Sequence, residues 1–192
     1  PSAGSGRGQT LEINGPGPAS AESAGRTADA GARDGTGMTQ RLRILHIGNG
    51  QAFKIRAIAD AFVARGHDVH MLPTPTIHGD WPGVTWHTLP EPRVPGQAKV
   101  LARMLAVRRL AERLQPDIIH AHNAWGPGWY GAAAGRRPFV IHAYGGDLLP
   151  EQYAGRPALQ RRLTAWACRR ADRIVVTGRH MVGASAGLGI RP

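Results

Sequence analysis

His142, Tyr144, Gly145, Gly146 and Asp147 follow directly on the apolar run Phe139-Val140-Ile141, and their types and spacing suit recognition of a polar ligand. Side chains alternate along a strand, so His142 and Tyr144 point the same way. An imidazole gives or takes a hydrogen bond near neutral pH and a phenol can do both, which is the chemistry of hydroxyl recognition. The two glycines let the backbone come close to a bound molecule just before the Asp147 carboxylate. The same residues also fit a tight turn in which Asp147 caps the next segment. Taken alone, they leave these two readings level.

Two further groups of residues could join this site. His120 and His122 lie two apart at the end of another apolar run, and with His142 they make three imidazoles, a number that could ligate zinc. No Cys-x-x-Cys or His-Glu-x-x-His pattern accompanies them, and strand ends more often supply polar contacts to a ligand or a neighbouring loop, so no metal is expected. Gly48-Asn49-Gly50 closes the first strand and precedes a helix. Amides at a helix start can hold an anion, so Asn49 and Gly50 are candidates for a phosphate or a sugar hydroxyl, with a plain turn as the competing reading. Phe53 stands where a dinucleotide fingerprint needs its third glycine, which excludes that motif.

These residues need elements to position them, and the chain alternates strand and helix patterns. Strands are predicted over 42–47, 68–72, 84–89, 117–122, 138–144 and 173–177. Helices are predicted over 54–65, 97–114, 128–134 and 157–171, with a last helical turn at 181–186. In helix 97–114 the apolar side is read as Val100, Leu101, Met104, Leu105, Ala111 and Leu114, with Lys99, Arg103, Arg109 and Arg113 mostly opposite. The pattern predicts an α/β fold: a Rossmann-like parallel sheet with helices on both faces, whose ligands sit at the carboxyl ends of the strands.

Composition narrows the function classes. Residues 1–37 are Gly-, Ala-, Ser-, Pro- and Thr-rich without apolar periodicity and are expected to form a disordered tail, either translated upstream sequence or a flexible extension. Met38 is read as the natural start, with the domain over 38–192. The net charge is +11; the tail carries three arginines against four acidic residues, which leaves +12 for the rest. Such an excess favours anionic partners. Helix 97–114 suits peripheral contact with an anionic membrane, although a solvated basic face is the default. It has no aromatics to stack bases and no recognised motif, so nucleic acid is not expected as a partner. Cys168 is the sole cysteine, which fits a reducing, cytoplasmic setting and a small core residue rather than a nucleophile.

Three segments taken together resemble the amino-terminal domain of GT-B glycosyltransferases, in particular the retaining GT4 family. They are Phe62-Val63-Ala64-Arg65-Gly66-His67-Asp68-Val69, Pro116-Asp117-Ile118-Ile119-His120-Ala121-His122, and Ala171-Asp172-Arg173-Ile174-Val175-Val176-Thr177 followed by Gly187-Leu188-Gly189-Ile190. The resemblance spans about residue 41 to 192. It implies transfer of a hexose from a nucleotide-sugar donor to a hydroxyl acceptor, without metal or other cofactor, in the cytoplasm or peripheral to the inner membrane face. The family's His-Gly-x-Asp appears here as Tyr144-Gly145-Gly146-Asp147, so the resemblance assigns Tyr144, His142 and Asp147 to catalysis. Asn49, Gly50, His122, Gly145 and Gly146 fall to substrate binding. The donor-binding carboxy-terminal domain of a GT-B enzyme is absent from this chain, so the resemblance implies one half of a two-domain enzyme, inactive alone. Two other readings stay open: a non-catalytic module binding a phosphorylated metabolite, and a GT-B relative that epimerises a nucleotide sugar.

Overall fold

Short apolar runs separated by helical periods can bury both faces only in a parallel sheet covered on each side, and that is the architecture of the computed structural model. It describes residues 40–148, 155 and 157–187, so the expected tail over 1–37 lies outside the described residues. The strands are β1 Arg43–Gly48, β2 Asp68–Pro73, β3 Val84–Trp86, β4 Ile118–His122, β5 Phe139–Ala143 and β6 Arg173–Val176. The helices are α1 Phe53–Val63, α2 Gly96–Leu114, α3 Pro127–Ala134, α4 Ala158–Arg170 and α5 His180–Gly187. Every strand pairing is parallel, in the order β3-β2-β1-β4-β5-β6. The chain order reverses between β1 and β4, and a crevice opens at such a switch point beyond the strand ends.

Alternation along the strands sorts the core into two layers. Leu45, Ile47, Ile119, Ala121, Phe139 and Ile141 are buried with residues of α2, α3 and α4, each large aliphatic one contributing about 1.5–3 kcal/mol of transfer free energy. Ile55 and Ala59 of α1 pack with Val69, Met71 and Trp81 on the opposite layer. Cys168 is buried among the first group, and burial pushes its thiol pKa up to about 12. It is a core residue, as its neighbours in sequence suggest.

Two aspartates hold the far edge of the sheet. The Asp117 carboxylate accepts the Arg43 amide at 2.7 Å, and the Asp172 carboxylate accepts the Phe139 amide at 2.7 Å. Each satisfies the first amide of a neighbouring strand, at the opposite end from the crevice. The Pro-Asp and Ala-Asp segments therefore serve strand alignment.

Two element ends and one helix face differ most from the expectation. Helix α1 stops at Val63, two residues before the predicted end, because the chain tightens through Arg65 N to Phe62 O and Gly66 N to Val63 O and then turns at Gly66 with φ +81°. β3 ends at Trp86, and only the His87 amide continues the pairing, to the Met71 carbonyl at 2.8 Å. In α2 the buried residues are Val107, Leu110 and Ala111, with Val100, Met104 and Leu114 partly buried. Leu101 and Leu105, expected in the core, are instead 60% and 50% exposed. They lie one position, about 100°, away from the buried stripe. Among the described residues no helix is long and apolar enough to cross a membrane.

Candidate functional site at the sheet switch point

The strand register assembles the site. His46 of β1 lies opposite His120 of β4, and His122 of β4 lies opposite His142 of β5. Because alternation puts residues two apart on the same face, His46, His120, His122, His142 and Tyr144 form one polar row on the α1 side of the sheet. Neighbouring rings pack closely: His120 and His122 at 4.3 Å between centroids, His46 and His122 at 5.1 Å, and His142 and Tyr144 stacked at 4.5 Å.

A hydrogen-bonded chain runs through this row. His46 Nδ1 and His122 Nε2 are 2.9 Å apart, and His122 Nδ1 lies 2.9 Å from Tyr144 Oη. Each neutral imidazole carries one proton, so the chain has a consistent direction: whichever nitrogen of His122 donates, the other accepts. Burial disfavours the charged form. Desolvation lowers His46 to about 3 and His120 to about 4, and it holds His122 well below the ordinary histidine value. The like-charge effect of neighbouring imidazoles adds to each. His142, half-buried, is lowered mainly by desolvation, and Tyr144 is pushed up to about 12 by burial and then by the nearby Asp147 charge. The row is therefore a set of neutral hydrogen-bonding groups at pH 7.

Asp147 braces the loops beside it. Its Oδ1 accepts the Gly145 amide at 3.0 Å and its Oδ2 accepts the Ala124 amide at 2.8 Å, joining the ends of β5 and β4. Gly145 sits at φ +129°, a backbone state that favours glycine. Asn123, in the loop after β4, is a non-glycine residue at φ +118°; its side chain accepts the Trp125 amide at 3.1 Å and its amide donates to the His142 carbonyl. Such strained positions persist only where neighbours over-determine them. Gly146 is half-buried beside this brace.

The β1–α1 loop contributes differently from the sequence expectation. Asn49 is exposed and its Oδ1 accepts the Gln51 amide at 2.9 Å, a turn contact. A Cβ on the buried Gly50 would sit 2.3 Å from the Ile77 carbonyl oxygen, so packing against the loop after β2 requires that glycine. Two residues of the site escape sequence reading. His46 looks like a polar interruption inside a strand, and only its register with His120 brings it into the row. Lys54 opens α1 and places Nζ 5.8 Å from the Tyr144 ring centroid, the one cation in contact with the row among the described residues. The signal for it was its place directly after the glycine loop.

Known proteins share the family and the fold. The family described as "Glycosyl transferase 4-like domain" matches residues 49–192. No curated protein matches the chain by sequence. Among solved structures, UDP-N-acetylglucosamine 2-epimerase from Rickettsia bellii superposes with TM-score 0.57 at 12% identity, covering 79% of this chain and 43% of that one. UDP-GlcNAc 2-epimerase from Methanocaldococcus jannaschii gives TM-score 0.54 at 10% identity, covering 77% and 43%. Glycyrrhiza uralensis UGT73P12, complexed with glycyrrhetinic acid 3-O-monoglucuronide, gives 0.50 at 11%, covering 79% and 48%. These likenesses concern the fold. The chain spans less than half the length of each of these proteins.

Proposed function

Given that the chain belongs to the glycosyl transferase 4-like domain family, with a GT-B glycosyltransferase-like fold, we propose that it is the acceptor-side half of a retaining hexosyltransferase. The donor is a nucleotide sugar and the acceptor a hydroxyl compound. The observation that carries this reading is the neutral polar row that ends in Tyr144, just past the carboxyl end of β5 on the sheet whose order reverses between β1 and β4. Sugar transfer passes through an oxocarbenium-like state, and neutral donors and acceptors held rigidly around it can orient hydroxyls without a competing charge.

In this proposal the Tyr144 hydroxyl and His142 contact donor hydroxyls near the reacting carbon, and His122 orients the phenol through its 2.9 Å bond. Asp147 is a positioning residue, since both of its oxygens are engaged with backbone amides. Asn49, Gly50, Gly145 and Gly146 shape the wall where the substrate backs onto the loops. Lys54, at the start of α1, adds a positive charge that suits the donor diphosphate, together with the helix amides. A second domain completes the cleft and holds most of the donor, so the 192 residues alone present one wall and turn over no substrate. The domain works in the cytoplasm. Exposed Leu101 and Leu105 beside the basic residues of α2 give it peripheral contact with anionic lipid.

The deciding experiment uses the longer two-domain protein with Tyr144→Phe, screened over nucleotide sugars and acceptors. We expect formation of a glycoside with retained anomeric configuration, and a Tyr144→Phe turnover about tenfold to hundredfold lower with an unchanged fold, the loss matching one hydrogen bond of about 1.5–3 kcal/mol. Conversion of the donor sugar without any acceptor would instead establish the epimerase reading. Binding of phosphorylated metabolites with neither reaction would establish the binding module.

A further inference from the structure

We propose that His46, His120 and His122 form a binding site for one divalent transition-metal ion of the zinc, cobalt, nickel and copper group, seated in the polar row on the α1 side of the sheet. One ring nitrogen from each of these residues lies within 4.8 Å of the others, and all three residues are on adjacent central strands. Strand residues hold ligands more rigidly than loop residues, and the 4.3–5.1 Å ring spacings already bring the imidazoles round a common point.

A second observation points to a missing partner there. His46 Nε2 and His120 Nε2 are buried and make no hydrogen bond. His46 itself is completely inaccessible, while His120 is partly accessible. Buried ring nitrogens are ordinarily satisfied by protein, water or metal, so the orphaned His120 Nε2 asks for an occupant; His46 would ligate through the Nδ1 that faces His122 and keep its proton on Nε2. His122 is also oriented as metal ligands usually are: with its Nδ1 proton given to Tyr144 Oη, its Nε2 lone pair faces His46. The 2.9 Å gap between His46 Nδ1 and His122 Nε2 would open by only a few tenths of an ångström, to the roughly 3.3 Å between two nitrogens on a tetrahedral ion.

The donor set selects the ion. Three imidazoles without a carboxylate suit borderline ions and not magnesium or calcium, which take oxygen ligands. Three protein ligands leave a position for water. The site shares His122 with the transfer reading given above, through its bond to Tyr144, but its test reads metal binding and not turnover, so the two can fail separately.

The test uses the 192-residue chain, stripped with a chelator, and three variants checked for fold by circular dichroism: His120→Asn, His46→Gln and, as control, His87→Asn. His87 belongs to a separate imidazole pair with His70, also at 2.9 Å. Cobalt is titrated by its ligand-field absorption, and zinc is counted by elemental analysis after desalting. We expect one ion per chain, a cobalt spectrum in the tetrahedral intensity range, and affinity at least about tenfold lower in His120→Asn but unchanged in His87→Asn. If His46→Gln fails to fold, the partly accessible His120 decides. Absence of saturable binding, or binding that survives His120→Asn, overturns the site and leaves the orphaned nitrogens to buried water.

Discussion

Tyr144 and Asp147 stand three residues apart, yet one is partly exposed and the other is buried. The phenol ends the imidazole chain, and on the proposed function removing its oxygen is expected to cost turnover more than stability. Asp147 is buried with two amides converging on it, and for that residue the balance is reversed. In Asp147→Asn one carboxylate oxygen becomes an NH2 group, so either the Gly145 or the Ala124 amide loses its acceptor in a dry site. A stability loss of about 1–3 kcal/mol is expected, visible as a thermal midpoint several degrees lower. A variant as stable as the parent that had lost only activity would place Asp147 among the reacting groups instead.

At the scale of elements, α2 and the strand ends impose different demands. α2 buries one stripe and leaves Leu101 and Leu105 exposed. Lys99 and Arg103 are tied to Glu91, and Arg108 pairs with Glu112 at 3.0 Å. Exposed ion pairs contribute little to stability, and their charges stay available to a stronger anionic surface. The leucines and the remaining Arg109 and Arg113 fit an interfacial helix. Co-sedimentation should show stronger binding to vesicles containing anionic lipid than to neutral vesicles at low salt, weakened by Leu105→Ser and by raised salt. Equal binding to both vesicle types would make α2 an ordinary solvated face.

For the whole molecule, the buried histidines make acid the sensitive side. His46 and His120 titrate near 3 and 4 in the folded chain, against about 6.5 when unfolded. Above that value both states are neutral and stability does not depend on these groups. As pH falls from about 6.5 toward 4 the unfolded chain takes up protons that the folded chain refuses, so stability declines, by up to about 1.4 kcal/mol per pH unit for each such histidine. His122 and His142 are shifted in the same direction. Thermal melts of the chelator-treated chain should therefore fall steeply between pH 7 and pH 5. A midpoint that is flat or rises over that range would show that the row is open to water.

Much of this was legible in the chain. Apolar period and glycine punctuation determine the strands and helices, because burial on two faces and the turn at Gly66 are local requirements that the residues themselves carry. The parallel sheet and the placing of Tyr144 and His142 at a strand end follow from the same alternation, and the three family-like segments predict the GT-B glycosyltransferase-like fold that the family match shows. What needed tertiary structure was whatever depends on register between distant strands. His46 joins His122 across a separation of 76 residues, and Lys54 reaches Tyr144 from another element. The His46 contact leaves no trace in local spacing, and the place of Lys54 after the glycine loop does not say that it meets Tyr144. The rotation of α2 that exposes Leu101 and Leu105 was likewise decided by packing, since two adjacent stripes on that helix are both apolar enough to serve. The roles of Gly50 and Asp147 belong to the same class, because a close approach and a converging pair of amides exist only once the loops have met.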